Sequence, residues 1–184
     1  MIVIVGFMGA GKTTVGRLLA DRLGLPFVDS DLVIEQRSRR SVPRIFAEDG
    51  EPAFRDLEHE VVASLLDGPP AVLALGGGAA DRQDTRDLLR SAQVVYLSVE
   101  FAESMLRVAG DTYRPLLAQP GLDDLYQRRM GTYASIATLT VATDGRRPEA
   151  ICQEVISRLR AAPTRSSRSA GRTRPTTARR WRSG

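Results

Sequence analysis

Residues 6–13 read GFMGAGKT and match the pattern G-x-x-x-x-G-K-[ST], which is typical of sites for nucleotide phosphates. The glycines let the backbone curl so that its N–H groups point at phosphate oxygens. Lys12 is expected to reach the β- and γ-phosphates, and the Thr13 hydroxyl is expected to ligate Mg²⁺. We predict nucleotide contacts from the loop and the start of the following helix: Gly9, Ala10, Gly11, Lys12, Thr13 and Thr14.

The basic residues of the chain support this interpretation. Of 26 Lys and Arg residues, only Lys12 is a lysine. A chain that otherwise uses Arg keeps a compact, flexible ammonium at this one position, as a phosphate contact requires. Chance under a strong Arg bias is the alternative.

Missing residue types narrow the class of nucleotide enzyme. A GTPase reads guanine with Asn-Lys-x-Asp, and this chain has no Asn and no second Lys, which excludes that class. The apolar run AVLAL leads into glycines 76–78, and YLSV leads into Glu100, so neither run ends in the aspartate of an ordinary Walker B motif. The metal must then use other carboxylates.

Two aspartates follow a short apolar run in the sequence FVDSD. Asp29 and Asp31 alternate along an extended segment, so both carboxylates are predicted to face the crevice beyond the strand ends. The alternative is that one of them caps the following helix.

The spacing of apolar residues predicts the elements that carry these groups. Short apolar runs predict strands at 2–5, 26–28, 71–75, 94–97 and 139–141. Helical patterns lie between and after them, at 12–23, 31–37, 42–47, 52–66, 84–91, 102–108, 122–135 and 149–160. This alternation indicates an α/β protein with a parallel sheet that is covered by helices on both faces.

Charge divides the chain into two parts. The net charge is +4, but residues 161–184 hold seven Arg and no acid, which leaves −3 for residues 1–160. We therefore predict one domain over 1–160 and an Arg-rich disordered tail over 161–184 that attracts polyanions without sequence specificity. A single Cys argues against disulfides and a cysteine zinc site. No run is apolar enough for a signal peptide or a membrane span, so we expect a cytoplasmic protein.

An ordered set of motifs resembles the shikimate kinases, a family of the nucleoside-monophosphate-kinase-like P-loop group. The set comprises GFMGAGKTT, FVDSDLVIE, IFAEDGEPAFRDLE, LALGGG, RPLL and LTVATDG, over residues 1 to about 160. The resemblance implies a three-layer P-loop kinase fold with a five-stranded parallel sheet of order 2-3-1-4-5. It also implies an acceptor-binding region near 31–60 and a lid near 109–121.

Arg55 is the candidate anchor for the acceptor. On a helix Glu58 is its i+3 neighbour and can hold the guanidinium toward a carboxylate ligand; the alternative is a solvated surface ion pair. The resemblance implies that Arg55 and Arg129 grip the acceptor carboxylate. Gly76, Gly77 and Gly78 would let backbone N–H groups approach the acceptor, or would simply form a tight turn.

The resemblance implies further roles around the transferred phosphate. Asp31 would bind the acceptor hydroxyls, orienting the attacking oxygen first and deprotonating it second. Asp29 would hold Mg²⁺ through water, Arg114 would close from the lid onto the phosphate, and Arg107 would stack on adenine. The expected catalytic residues are thus Lys12, Asp31 and Arg114.

One motif departs from the family pattern. Where shikimate kinases have Arg-x-Pro-Leu-Tyr, residues 129–133 read RMGTY. Because Gly131 replaces a rigid residue beside the acceptor clamp, either Arg129 is held less firmly or Arg128 takes its place.

The sequence therefore predicts an ATP- and Mg²⁺-dependent transferase that phosphorylates the 3-hydroxyl of shikimate, a step of aromatic amino acid biosynthesis. We expect ATP and shikimate as its partners, no specific nucleic acid, no membrane, and a monomer. The alternatives are a related kinase for gluconate or a shikimate analogue, and a P-loop binding protein without catalysis.

Overall fold

Five short strands form a parallel sheet whose centre is covered on both faces, since β1 and β3 are apolar and fully buried while the outer strands β2 and β5 are partly exposed. The computed structural model describes residues 1–109 and 121–161. The strands are β1 Ile2–Val5, β2 Phe27–Asp29, β3 Val72–Ala74, β4 Gln93–Ser98 and β5 Leu139–Ala142. They pair in the order β2-β3-β1-β4-β5, which confirms the predicted topology.

Seven helices of the described residues connect and cover these strands: α1 Lys12–Leu23, α2 Ser30–Ser38, α3 Val42–Leu66, α4 Gln83–Leu89, α5 Phe101–Val108, α6 Leu122–Ile136 and α7 Pro148–Ala161. Helix α1 packs on β1, β3 and α7, and α7 packs on β5. Helix α6 contacts β4, while α3 contacts α2 and α4. No helix in the described part of the chain is long and apolar enough to cross a membrane.

Helix α3 spans two segments that the sequence predicts as separate helices. Gly50 interrupts it with φ 82° and ψ 169°, a conformation that residues with a side chain rarely adopt. Pro52 follows two residues later and has no N–H to donate, which is tolerated only in the first turn of the second segment. The kink thus gives α3 a change of direction at the point where the predicted boundary lies.

A short 3-10 turn, Ala79–Asp81, follows the glycine triplet and was not predicted from the sequence. Ala79 N–H donates to Gly76 O at 3.2 Å, and Asp81 N–H donates to Gly78 O at 2.9 Å. The turn therefore folds the chain back directly beyond the end of β3.

Two glycines inside helices differ in the space around them. Gly131 is exposed on α6, and a Cβ there would have no other atom within 4 Å. We expect Gly131→Ala to raise the free energy of unfolding by about 0.5–1 kcal/mol, because alanine loses less backbone entropy in a helix. Urea unfolding followed by circular dichroism measures the change.

Gly16 in α1 is the matched control. A Cβ at Gly16 would lie 2.5 Å from Phe27 Cε2 and 3.2 Å from Ile4 Cδ1. Gly16→Ala should therefore give no gain and should lower stability. Equal stabilisation by both substitutions would contradict the packing described for α1.

Candidate active site

The loop between β1 and α1 is held in a phosphate-binding shape by its glycines and by α5. Gly9 and Gly11 have φ of 73° and 86°. A Cβ at Gly9 would lie 2.8 Å from Ser104 O, so the loop packs directly on the backbone of α5. Ser104 Oγ also donates to Met8 O at 2.7 Å. The loop is therefore preorganised by contacts outside its own sequence motif.

Lys12 lies across this loop. Its ammonium donates to Gly6 O at 2.9 Å and to Phe7 O at 3.2 Å. The charge is thus concentrated inside the ring of backbone groups at the start of α1. This is the position from which a lysine contacts the β- and γ-phosphates of a bound nucleotide.

Asp29 performs two tasks at the end of β2. Its Oδ1 accepts from Asp31 N–H at 3.1 Å and caps α2, which answers the question left open by the sequence. Its Oδ2 accepts from the Thr13 hydroxyl at 3.3 Å. The cap therefore also fixes a carboxylate oxygen beside the phosphate loop.

Asp31 lies deeper, against the backbone that follows β3. Burial raises the pKa of Asp31 to about 6, and the negative charge of Asp29 adds to that shift. Lys12 and Arg55 oppose it by favouring the charged form. Asp31 thus interacts with both Lys12 of the phosphate loop and Arg55 of α3. Its carboxyl group titrates closer to neutral pH than that of an ordinary aspartate.

Arg55 is not a solvated surface arginine. Its Nη1 donates to Glu58 Oε2 at 2.7 Å and its Nη2 to Glu51 Oε1 at 3.0 Å. The guanidinium also lies over the rings of Phe46 and Phe54, 5.8 Å and 5.3 Å from their centroids. Four groups therefore fix its orientation, and only 13% of the side chain is exposed.

Glu58 is the most buried acid of this cluster, with 2% of its surface exposed. Burial raises its pKa, while Arg55 favours its charged form. The side chains of Arg55 and Glu58 are largely shielded from water. Removal of either residue therefore leaves the charge of the other without a partner.

The glycine triplet leaves room for these charged groups. A Cβ at Gly76 would collide with Asp31 Oδ1 and would lie 2.7 Å from Glu58 Oε1. A Cβ at Gly78 would collide with the guanidinium of Arg55. The triplet therefore forms the turn after β3 and lets side chains from α2 and α3 lie against the backbone, while Gly76 N–H donates to Ser30 Oγ at 2.9 Å.

Arg129 reaches the triplet from α6. It is 4% exposed, and its Nε and Nη2 donate to Asp81 Oδ2 at 3.1 Å and 2.9 Å. Its Nη1 is the nearest group to a Cβ placed on Gly77, at 3.4 Å. Arg128, the alternative clamp residue, is exposed. Arg129 is therefore firmly held, although Gly131 stands where the family pattern has a rigid residue.

Arg107 occupies the far side of the phosphate loop. Its Nη1 donates to Gly9 O at 3.1 Å, and its Nη2 donates to Thr143 O at 2.8 Å. It thus ties the loop to the segment after β5. Gly145 and Arg146 of that segment and Pro148 of α7 also line the cavity, and no sequence motif predicts this position for them.

One cavity of about 960 Å³ joins these regions. Every predicted site residue in the described part of the chain lines it: Gly9, Ala10, Gly11, Lys12, Thr13, Thr14, Asp29, Asp31, Arg55, Gly76, Gly77, Gly78, Arg107 and Arg129. Arg114 and most of the predicted lid lie outside the described residues.

Asp81 was missed by sequence reasoning. No pattern pairs a residue three positions after a glycine triplet with an arginine 48 positions further on. The sequence does show an acidic residue three positions after the glycines of the predicted acceptor site, and this could have drawn attention to Asp81.

A family model described as shikimate kinase matches residues 8–160. A shikimate kinase of Thermobifida fusca is 49% identical over 165 residues, covering 88% of this chain and 96% of its own length. A shikimate kinase of Mycobacterium tuberculosis is 44% identical over 161 residues, covering 85% of this chain and 92% of its own length.

A solved structure agrees with the sequence matches. The shikimate kinase from Acinetobacter baumannii in complex with shikimate has a TM-score of 0.84 and 37% identity to this chain. The alignment covers 87% of this chain and 92% of that protein.

The raised pKa of Asp31 predicts a pH-dependent stability. Below about pH 4 Asp31 is protonated in both the folded and unfolded states, and between about 4 and 6 only the folded state keeps the proton. Its contribution to stability therefore falls as the pH rises through this window. Asp31→Asn should gain stability relative to wild type when the pH is raised from about 4.5 to 7.5.

Urea unfolding of both proteins at the two pH values measures this effect, and Asp84→Asn is the control. The ion pair with Arg82 lowers the pKa of Asp84 to about 2, so its charged form persists in the folded state throughout the window. A difference between Asp31→Asn and wild type that does not change with pH would contradict the titration described for Asp31.

Proposed function

This chain belongs to the shikimate kinase family, and we propose that it transfers the γ-phosphoryl group of ATP to the 3-hydroxyl of shikimate. One observation carries the proposal. A single cavity is lined by a complete phosphate loop and by two arginines, the half-buried Arg55 and the buried Arg129, and Asp31 interacts with both Lys12 and Arg55. That arrangement suits an anionic acceptor placed in line with a nucleotide.

The phosphate loop would bind ATP through backbone N–H groups and Lys12. The N-terminus of α1 adds partial positive charge at the same place. On binding, the Lys12 ammonium would exchange its contacts with Gly6 O and Phe7 O for phosphate oxygens. Arg107 would border the adenine end, where it already joins the loop to Thr143.

The oxygen donors beside the loop fit Mg²⁺. Thr13 Oγ1 and Asp29 Oδ2 are hard ligands 3.3 Å apart, and Thr13 would bind the metal directly while Asp29 would bind it through water. In the described ranges no three His, Cys, Asp or Glu residues cluster as a metal site, which suits an ion that takes its other ligands from phosphates and water. When bound, the ion neutralises charge on the phosphates.

The acceptor carboxylate would be bound by Arg55 and Arg129. The two guanidinium groups lie beside adjacent glycines of the triplet, since a Cβ at Gly78 would collide with Arg55 and a Cβ at Gly77 would have Arg129 Nη1 as its nearest group. A rigid ring that carries a carboxylate can bind such fixed groups without loss of internal freedom. The same contact fixes the distance from the carboxylate to the hydroxyl that attacks.

Asp31 would accept a hydrogen bond from the attacking hydroxyl. The new bond forms between that oxygen and the γ-phosphorus, the bond from phosphorus to the β,γ-bridging oxygen breaks, and the hydroxyl proton passes to Asp31. A pKa of about 6 makes this carboxylate a stronger base than ordinary aspartate while it is still mostly ionised at neutral pH. Because the transition state is loose, orientation of the hydroxyl outweighs proton removal.

The remaining predictions extend this proposal. Arg114 would act from a lid near 109–121 on the transferred phosphate, residues 1–160 would form the kinase domain, and residues 161–184 an Arg-rich tail. We place the protein in the cytoplasm as a monomer.

The acceptor is tested by an ADP-release assay with shikimate, quinate and gluconate. Shikimate should give the highest kcat/KM, because its flat ring and carboxylate suit two fixed arginines. A higher value with gluconate would overturn the proposed acceptor and leave the phosphate site intact.

Substitution of Lys12 tests the phosphate site. Lys12→Ala should lower kcat by at least about 100-fold, because the only ammonium of the loop is lost from the transition state. Circular dichroism should show an unchanged fold. Near wild-type kcat would refute the role assigned to Lys12.

Substitution of Arg55 tests the acceptor anchor. A charge-assisted pair is worth about 1.5–3 kcal/mol, so Arg55→Ala should raise the KM for shikimate roughly 10- to 150-fold and leave the KM for ATP nearly unchanged. Arg55→Lys should rescue only part of the loss, because an ammonium cannot form two parallel hydrogen bonds.

Arg44→Ala is the matched control for Arg55. Arg44 lies on the same helix and pairs with Glu48 at 2.6 Å, but its side chain is 63% exposed. Its loss should leave both KM values unchanged. A rise in the KM for ATP alone in Arg55→Ala would show that Arg55 does not anchor the acceptor.

A further inference from the structure

Asp81 joins the turn after β3 to the middle of α6. The carboxylate is the last residue of the 3-10 turn, three positions beyond the glycine triplet. Its Oδ2 accepts from two nitrogens of Arg129, Nε at 3.1 Å and Nη2 at 2.9 Å. The side chain of Asp81 is 38% exposed, whereas that of Arg129 is 4% exposed.

This ion pair determines which edge of the guanidinium faces the cavity. Asp81 takes Nε and Nη2, and the remaining nitrogen, Nη1, lies beside Gly77 in the cavity wall. A buried guanidinium is stable only with a counter-charge and hydrogen-bond acceptors, and its planar fork fixes the direction of the third nitrogen once two are bound. The pair therefore sets the direction of Nη1.

The turn that carries Asp81 is itself rigidly held. Arg86 Nη1 donates to Ala80 O and to Asp81 O, both at 2.7 Å. Arg86 Nη2 donates to Gln83 Oε1 at 2.8 Å. Asp81 is thus supported by α4 through its backbone while its carboxylate holds Arg129, and a chain of contacts runs from α4 to α6 behind the acceptor site.

We propose that Asp81 is a positioning residue for the acceptor: it holds Arg129 so that Nη1 presents to the acceptor carboxylate, with Arg86 as its outer support. This inference rests on the proposed function. It concerns a residue that the sequence motifs leave unassigned, and it explains how Arg129 stays fixed although Gly131 replaces the rigid residue of the family pattern.

Two substitutions of Asp81 separate the effect of its negative charge from the effect of its hydrogen bonds to Arg129. The Asp81 carboxylate repels an anionic acceptor, so its charge alone would weaken binding, and its benefit must come from geometry. Asp81→Asn keeps an oxygen that can accept from Arg129 and removes the charge. Asp81→Ala removes both, so the two substitutions separate positioning from attraction.

Steady-state kinetics with shikimate and ATP measure the effect. Asp81→Ala should raise the KM for shikimate about 10-fold, with kcat and the KM for ATP within about twofold of wild type. Asp81→Asn should stay within about threefold for the same KM, because a neutral acceptor still orients the guanidinium. Arg86→Met should shift that KM in the same direction by a smaller factor.

Asp84→Ala is the matched control. Asp84 is an exposed acid on α4 that pairs with Arg82 at 2.7 Å, outside the cavity lining. Its loss should leave the KM for shikimate unchanged. Asp81→Ser, whose hydroxyl is too short to bind two nitrogens of Arg129, provides a second test should Asp81→Ala fail to fold, with the same expected rise.

A double-substitution cycle distinguishes positioning from general structural damage. In an Arg129→Met background, Asp81→Ala should cause no further rise in the KM for shikimate. A further rise of the same size, or an Asp81→Ala protein with the wild-type KM, would overturn the inference. A wild-type chain that releases no ADP with shikimate would instead overturn the proposed function, and this inference with it.

Discussion

The absence of side chains at the end of β3 is the constraint on which the proposed acceptor site depends. Four charged residues from three helices converge on Gly76–Gly78, and a single methyl group at position 76 or 78 would occupy space that Asp31 or Arg55 already fills. The glycine triplet therefore does more than turn the chain. It makes the backbone one wall of the cavity, opposite side chains that are fixed by contacts of their own.

Charge balance explains why so polar a cluster is stable inside the protein. Arg55 is matched by Glu58 and Glu51, and Arg129 by Asp81. Arg129 keeps Nη1 beside Gly77 in the cavity wall, and the two phenylalanines under Arg55 restrict the motion of that side chain without adding charge. The cost of desolvating these ions is thus offset before any ligand arrives, which is the preorganisation that phosphoryl transfer requires.

The nucleotide end follows a different principle, since it depends on backbone geometry rather than on buried ions. Gly9 packs against Ser104 of α5, and Ser104 in turn holds Met8 O. Arg107 extends this support to the segment after β5. Because α5 contacts the loop at several points, changes in that helix would alter the shape of the loop, while Asp29 couples the loop to α2 and hence to Asp31.

The sequence by itself determined the phosphate loop, the five strands and nearly all helix boundaries, because these depend on short contiguous motifs and on the local spacing of apolar residues. The family resemblance supplied the strand order and the acceptor residues. Only the tertiary structure decided that Asp29 is the cap, that Arg55 and Glu58 form a buried pair, and that Arg129 rather than Arg128 faces the cavity. It alone revealed Asp81 as the partner of Arg129. These facts depend on burial and on contacts between residues far apart in the chain, which local periodicity does not encode.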